Sequence, residues 1–315
     1  MRLGQTVYQG ALRGLRSFLK LMLIVAPVYT FVTFLKYTPV LEGFARFMAP
    51  FMRFFRLPGE AAMALILGNF INIYASLGAI TALKITGDQL TVLSLMVLIS
   101  HSQILETAVF FQIKAKWWLL WLIRLLLSFG AGVGLSALIV RAGNYGTAGV
   151  DFSALRQVFV PLPAIESWAR GLFNTSLKMV LVLVGIFVLL ELARVYGVLE
   201  RVLRGLRRLI GFMGYSDEAG MPWLAGNVFG VVFGAGLIVE SVRESRLSPK
   251  QVTLVATFLA ICHGLFEDTA IFLVLGANFF WIVVPRMVLA VIVTFILSKI
   301  LKDGPVLSGV RDVVK

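Results

Sequence analysis

The only two histidines of the 315-residue chain each stand ahead of acidic residues in an apolar stretch. His101 precedes Glu106 in the run HSQILETAVF, and His263 precedes Glu267 and Asp268 in the run HGLFEDTAIF. An imidazole can accept a proton, hydrogen-bond a substrate or bind a metal. Ionisable side chains are costly in apolar surroundings, so a repeated pairing of this kind predicts a functional site.

We assign all five of these side chains to the coupling of a proton or a cation. A buried carboxylate suits a proton carrier, whereas a bound cation requires ionised acids. On a regular helix, His101 and Glu106 would lie about 140° apart, so the two need not touch, and a partner from the other copy is an alternative. The competing interpretation is structural: the histidines tie neighbouring helices together, and the acids cap helices or pair with arginines.

Three asparagines and two arginines in other apolar segments are candidates for holding a substrate. Asn69, Asn72 and Asn227 could donate hydrogen bonds, although the packing of small residues between helices would also explain their segments. Arg124 and Arg286 could counter the acids or bind an anionic group bidentately. Snorkelling towards lipid headgroups is the alternative for both arginines.

The composition is that of an integral membrane protein. Hydrophobic residues make up 59% of the chain and charged residues 14%, against about a quarter charged in an ordinary soluble domain, and the mean hydropathy is +0.92. Little of the chain remains for a soluble catalytic domain. Apolar runs of roughly the 20 residues that span a bilayer lie near 17–37, 60–83, 89–113, 117–140, 174–193, 222–240, 251–276 and 279–301.

Charge and missing motifs exclude several classes of protein. The net charge of +13 comes from residues between apolar runs, where orientation in the membrane calls for them, so no nucleic-acid partner is expected. The single Cys262 excludes an internal disulfide and a multi-cysteine metal site. Phosphate loops, HExxH and GxSxG motifs are absent. We therefore assign no cofactor, no metal ligand and no catalytic residue.

The chain contains an internal duplication. Gly68-Asn69 matches Gly226-Asn227 at an offset of 158 residues. After about four extra residues in the second half, the offset becomes 162, which pairs His101 with His263 and Glu106 with Asp268. The predicted domains are a first membrane repeat at 10–142, a linker at 143–166 and a second membrane repeat at 167–303.

Each unit runs through the same elements in the same order. An apolar helix is followed by a basic amphipathic helix in the interface, a Gly-Asn segment, the His-acid helix and a last helix with an arginine. The Gly-Asn segments are poor regular helices and are predicted to be broken or re-entrant. The predicted fold is all-α, with about six to eight transmembrane helices in two pseudo-symmetric repeats; positive-inside bias favours inverted repeats.

Two Gly-Asn segments, each followed by an acid-Thr-Ala run, resemble the "nucleoside recognition" or Gate membrane family. Related units occur in concentrative nucleoside transporters, ferrous-iron permeases and spore maturation proteins. The resemblance implies that both Gly-Asn segments, the run from Gln103 to Thr107 and the run from Glu267 to Thr269 face a central site. With the two arginines, which are candidates from their residue type alone, the predicted substrate-binding residues are Asn69, Asn72, Gln103, Asn227, Arg124 and Arg286.

The first interpretation is a secondary transporter or permease of the bacterial cytoplasmic membrane that moves a small polar, nucleoside-like solute. Two alternatives stay open: a non-transporting partner subunit of a membrane assembly, and an intramembrane enzyme or flippase acting on a phosphorylated lipid. The expected partners are the bilayer and a small solute, with a homo-oligomer or a membrane partner subunit also open.

Overall fold

The structure is a computed structural model that describes residues 2–35, 39–140, 162–231, 238 and 247–302. The regular structure of these ranges is helical, with no strand, so the all-α prediction is confirmed. The α-helices are α1 (Arg2–Leu35), α2 (Pro39–Met52), α3 (Ala61–Phe70), α4 (Ile73–Ala82), α5 (Gly87–Ser100), α6 (Gln103–Gln112), α7 (Trp117–Ile139), α8 (Leu162–Val195), α9 (Val198–Phe212), α10 (Gly220–Phe229), α11 (Pro249–Ile261), α12 (Glu267–Leu275) and α13 (Phe279–Ile300).

The multi-pass membrane prediction is also confirmed. Within the described ranges, five helical segments are long and apolar enough to cross a bilayer. The predicted runs at 60–83 and 251–276 are each divided into short helices, and much of the run at 222–240 lies outside the described residues. The spanning segments are Leu3–Leu35, Gly87–Gln112, Trp117–Ile139, Ile165–Val195 and Phe279–Ile300.

The first Gly-Asn segment is broken, as predicted, and folds back on itself. Asn72 is extended and caps α4 by accepting a hydrogen bond from the backbone N–H of Ala75 at 2.9 Å. A Cβ atom on Gly68 would lie 3.0 Å from the Cβ of Ser76, so α3 and α4 pack side by side around the break. Ten residues of helix rise about 15 Å, half of a hydrocarbon core of about 30 Å. The pair therefore has the dimensions of a re-entrant hairpin.

The two His-acid helices are also broken, each at its histidine. His101 ends α5 and α6 begins two residues later, while His263 lies between α11 and α12. The residue after each histidine has a positive φ, 52° at Ser102 and 54° at Gly264. The sequence predicts continuous helices here, and the left-handed residue is the physical reason for the difference, because it turns the chain out of a helical path.

The centre of the molecule is formed by α5 and α11, whose side chains are almost all buried. The longer helices surround this centre and expose apolar side chains, as a bilayer requires. The first helices of the two halves, α1 and α8, pack closely: a Cβ atom on Gly14 would lie 2.7 Å from the Cα of Val184. The two halves therefore share an extensive contact.

The amphipathic helices occupy their predicted places. In the second half, α9 exposes Arg201, Arg204 and Arg208 and buries Ile210. The equivalent helix of the first half, α2, contains a single arginine, Arg46. Helix α8 begins at Leu162, inside the predicted linker, and continues without a break into the apolar run. Most of that linker lies outside the described residues, and the domain boundaries stay a prediction.

Candidate functional site

The two histidines meet at the centre of the protein. Both rings are buried, and their Nε2 atoms are 3.2 Å apart. His101 Nδ1 lies 3.1 Å from the carbonyl oxygen of Val97, and His263 Nδ1 lies 2.6 Å from that of Leu259. Each ring is thus held by the last turn of its own helix, and the free nitrogen of each points to the other repeat.

Two carboxylates complete the group, which we call the His-acid cluster: His101, His263, Glu106 and Asp268. Glu106 Oε1 lies 3.4 Å from both Nε2 atoms, and Asp268 Oδ2 lies 3.9 Å from both. Each histidine therefore meets the acid of its own repeat and the acid of the other. From the sequence we did not expect a histidine to contact the acid of its own repeat, because His101 and Glu106 would lie far apart on a regular helix. The helix is broken at each histidine, so that argument does not apply.

Two arginines support the cluster in equivalent ways, and both are fully buried. Arg124 donates to the carbonyl oxygens of Ile99 and His101 at 3.0 and 2.6 Å, and its Nη1 lies 3.0 Å from Glu106 Oε2. Arg286 donates to the carbonyl oxygen of His263 at 3.3 Å. Snorkelling to headgroups is therefore wrong for both arginines, because each satisfies the carbonyl groups that a helix break leaves free.

The glycines of the Gly-Asn segments accept backbone hydrogen bonds from the residues that follow the two helix breaks. The backbone N–H of Ser102 donates to the carbonyl oxygen of Gly68 at 2.7 Å, and that of Gly264 donates to the carbonyl oxygen of Gly226 at 3.5 Å. The same backbone contact thus occurs in both halves. It joins each Gly-Asn helix to the residue that follows a site histidine.

Glu267 does not contact the histidines and points to the first half instead. Its Oε1 accepts hydrogen bonds from Ser17 Oγ at 2.9 Å and from Tyr74 Oη at 3.3 Å. It therefore joins α12 to α1 and to the re-entrant hairpin. Sequence reasoning identified neither residue as a candidate. Ser17 stands among the basic residues Arg16 and Lys20, and Tyr74 ends the first Gly-Asn segment, in which only the asparagines were candidates.

Asn69 and Gln103 line a cavity of about 600 Å³ beside the cluster. Asn69 Oδ1 and both side-chain amide atoms of Gln103 are buried without a hydrogen-bond partner, as is Thr107 Oγ1 on the same wall. Native proteins seldom leave buried polar atoms unpaired. The remaining lining residues are Met48, Phe51, Met52, Ala62, Leu65, Ile66, Phe70, Ile104, Trp117, Trp121, Leu125 and Phe129.

Asn72 and Asn227 are not brought to this cavity. Asn72 caps α4, and Asn227 donates its amide to the carbonyl oxygen of Trp223 at 2.8 Å. Sequence reasoning also missed the aromatic wall around Trp117 and Trp121. Clustered tryptophans at the start of a transmembrane helix are typical of an interfacial belt, so their types alone did not point to a ligand.

Substitutions of Ser102 and Gly264, the left-handed residues that follow the two histidines, should have opposite effects on stability. A Cβ atom on Gly264 would overlap the carboxylate of Asp268, so Gly264→Ala is expected to lower the free energy of unfolding by about 1–2 kcal/mol. Ser102→Gly is the matched control at the equivalent position and should be neutral or stabilising by up to about 1 kcal/mol. Denaturant titration in detergent would measure both; equal losses would contradict the assigned conformations.

The fold and the buried polar centre define a multi-pass α-helical membrane protein built around a broken-helix site. Residues 18–115 match the model of the Gate family, described as nucleoside recognition, so the predicted resemblance is confirmed over this part of the chain. The uncharacterised membrane protein YvoD of Bacillus subtilis (strain 168) is 27% identical over 296 residues, covering 92% of this chain and 93% of YvoD. No solved structure matches the chain.

Proposed function

We propose that the protein is a secondary permease of the bacterial cytoplasmic membrane that moves a small, polar, nucleoside-like solute. The match of residues 18–115 to the Gate family, described as nucleoside recognition, supports this class of solute. The cavity carries the proposal further. A space of about 600 Å³ falls within the roughly 300–1,000 Å³ that small-molecule sites occupy.

The chemistry of the cavity wall favours a neutral solute with a flat apolar face. No charged residue lines the cavity in the described part of the chain, and five aromatic side chains do. Aromatic rings stack against flat ligands, whereas a charged solute would enter this wall without a compensating charge. The unpaired atoms of Asn69, Gln103 and Thr107 supply both donors and acceptors, which matches the edge of a nucleobase or the hydroxyl groups of a sugar.

The cavity adjoins the His-acid cluster through helix α6. Gln103 follows His101 by two residues, and Thr107 follows Glu106 directly. A solute held by Gln103 and Thr107 would therefore act on the same short helix that carries a cluster carboxylate. We propose that a cation in the cluster is coupled to the solute in this way, and that one repeat rocks against the other during transport.

Substitution of the cavity's polar atoms tests the proposed solute site. Gln103→Leu keeps the size of the side chain, and leucine already stands at the equivalent Leu265. Removing a buried amide that bonds the solute through two atoms, each bond worth about 1 kcal/mol, should reduce uptake at limiting solute by about tenfold or more. Radiolabelled uridine and adenosine uptake into proteoliposomes would measure this.

The matched control is a buried hydroxyl outside the cavity. Thr107→Val should also reduce uptake, but by less than Gln103→Leu because it removes one bonding group instead of two. Thr257→Val should leave uptake within about twofold, because Thr257 Oγ1 donates to the carbonyl oxygen of Thr253 in its own helix. Equal uptake by wild type, Gln103→Leu and Thr107→Val would overturn the solute site. Absence of uptake by wild type would overturn transport of these nucleosides.

A further inference from the structure

The facing histidine nitrogens of the His-acid cluster need a cation between them. The carbonyl oxygens of Val97 and Leu259 can only accept hydrogen bonds, so Nδ1 of each ring carries the donated proton. The neutral form of each imidazole then presents an unprotonated Nε2. Two such lone pairs, 3.2 Å apart, repel each other unless a cation lies between them.

A single proton would pair with only some of the lone pairs in the His-acid cluster. A proton on either Nε2 atom can be shared with one facing nitrogen or one carboxylate, and the other lone pairs then stay unpaired. A metal ion accepts electron pairs from several ligands at once. The cluster brings to one place two imidazole nitrogens, Glu106 Oε1 and Asp268 Oδ2, which are ligand types that divalent transition metals take.

We propose that His101, His263 and Asp268 bind one divalent transition-metal ion, for which Zn²⁺ is the best-fitting probe. Their ligand atoms all lie within 4.8 Å of one another. For metal–ligand distances of about 2.0–2.1 Å in a tetrahedron, neighbouring ligands are separated by about 3.3–3.4 Å. The two Nε2 atoms are 3.2 Å apart and Asp268 Oδ2 is 3.9 Å from each, so small side-chain movements complete the geometry.

The surroundings of the three ligands have the form that supports a metal site. A ligating histidine commonly donates its other ring N–H to a backbone carbonyl, and both histidines do so here. Three protein ligands leave an open fourth position, and Glu106 Oε1, 3.4 Å from both nitrogens, is next to it. Arg124 and Arg286 add positive charge, which favours Glu106 or a hydroxide ion at that position over a neutral ligand.

Metal counting on the purified full-length protein tests this proposal. After removal of metal with a chelator, wild type should bind about one Zn²⁺ per chain, and Co²⁺ in its place should show the visible absorption of tetrahedral nitrogen and oxygen ligation. His101→Ala and His263→Ala should each weaken Zn²⁺ binding by about 100-fold or more, because each removes a direct ligand. Asp268→Asn should weaken it by about tenfold or more.

The control is a buried acid away from the cluster. Glu191, which pairs with Arg13, can be replaced in Glu191→Gln, and this variant should bind Zn²⁺ as wild type does. If either histidine variant fails to fold, Asp268→Asn still decides the outcome. Less than about 0.1 Zn²⁺ per wild-type chain, or equal affinity in wild type and Asp268→Asn, would overturn the metal site. Zn²⁺ binding is measured without solute, so the two proposals are tested separately. Loss of Zn²⁺ binding with uridine uptake intact would overturn only the metal site, and loss of uptake with Zn²⁺ binding intact would overturn only the proposed transport.

Discussion

Replacement of Arg124 by leucine is expected to lower the free energy of unfolding by about 3–5 kcal/mol. The guanidinium group is fully buried, donates to two backbone carbonyl groups and pairs with Glu106. Leucine keeps an apolar side chain in the space but leaves the carbonyl groups of Ile99 and His101 unpaired. It also leaves the Glu106 carboxylate without its counter-charge, and an unpaired buried charge is the largest part of the expected loss.

A surface arginine and a double variant separate these causes. Arg170 forms an exposed pair with Glu166 one helical turn away, so Arg170→Leu should change stability by at most about 1 kcal/mol. Adding Glu106→Gln to Arg124→Leu removes the orphaned charge and should recover at least about 1 kcal/mol. Unfolding in detergent, followed by circular dichroism, would give all three values. A loss below about 1 kcal/mol for Arg124→Leu would contradict the assigned role.

The pairing of the two histidines shows what the duplicated sequence could predict. Equal types at equal positions in two repeats indicated that His101 and His263 share a site, and pseudo-symmetry brings such positions together at the axis between the repeats. The offset could not show that both Nε2 atoms face each other at 3.2 Å. That contact depends on two helix breaks, and the first of them occurs at Ser102, a residue whose type does not predict a left-handed conformation.

The roles of the arginines and asparagines could not be derived from residue type. An arginine such as Arg124 inside an apolar helix could bind a lipid headgroup, a substrate or the free carbonyl groups at a helix break. The position of the neighbouring helix decides between these roles, and the sequence does not give that position. Asn69 and Asn227 make the same bond to the carbonyl group four residues earlier, yet only Asn69 lines the cavity. Equivalent residues therefore share their local geometry, whereas the cavity depends on the side chains of α2 and α7.

The second large effect is expected where α1 and α8 approach each other. Cβ atoms on Gly10 and Gly14 would lie 2.6 Å from the Cα of Val188 and 2.7 Å from the Cα of Val184. Backbone atoms cannot rotate away as side chains can, so the helices themselves would have to separate. Each overpacked methyl group costs about 1–3 kcal/mol, and the double variant Gly10→Ala, Gly14→Ala should therefore lose about 2–6 kcal/mol of unfolding free energy.

Glycines that face open space provide the controls for this effect. A Cβ atom on Gly4 in α1 or on Gly185 in α8 would have no neighbouring atom within 4 Å, and alanine there should be neutral or stabilise its helix by up to about 1 kcal/mol. The comparison holds helix propensity constant, so a difference between the two pairs of variants reports the helix contact alone. Small residues allow close helix approach in membranes, and this contact joins the two repeats that share the histidine pair. If Gly10→Ala, Gly14→Ala behaves like Gly4→Ala, the close approach of α1 and α8 is wrong.

If the stability loss is observed, the same variant should also lower the affinity of the His-acid cluster for Zn²⁺, because separating the repeats moves His101 away from His263.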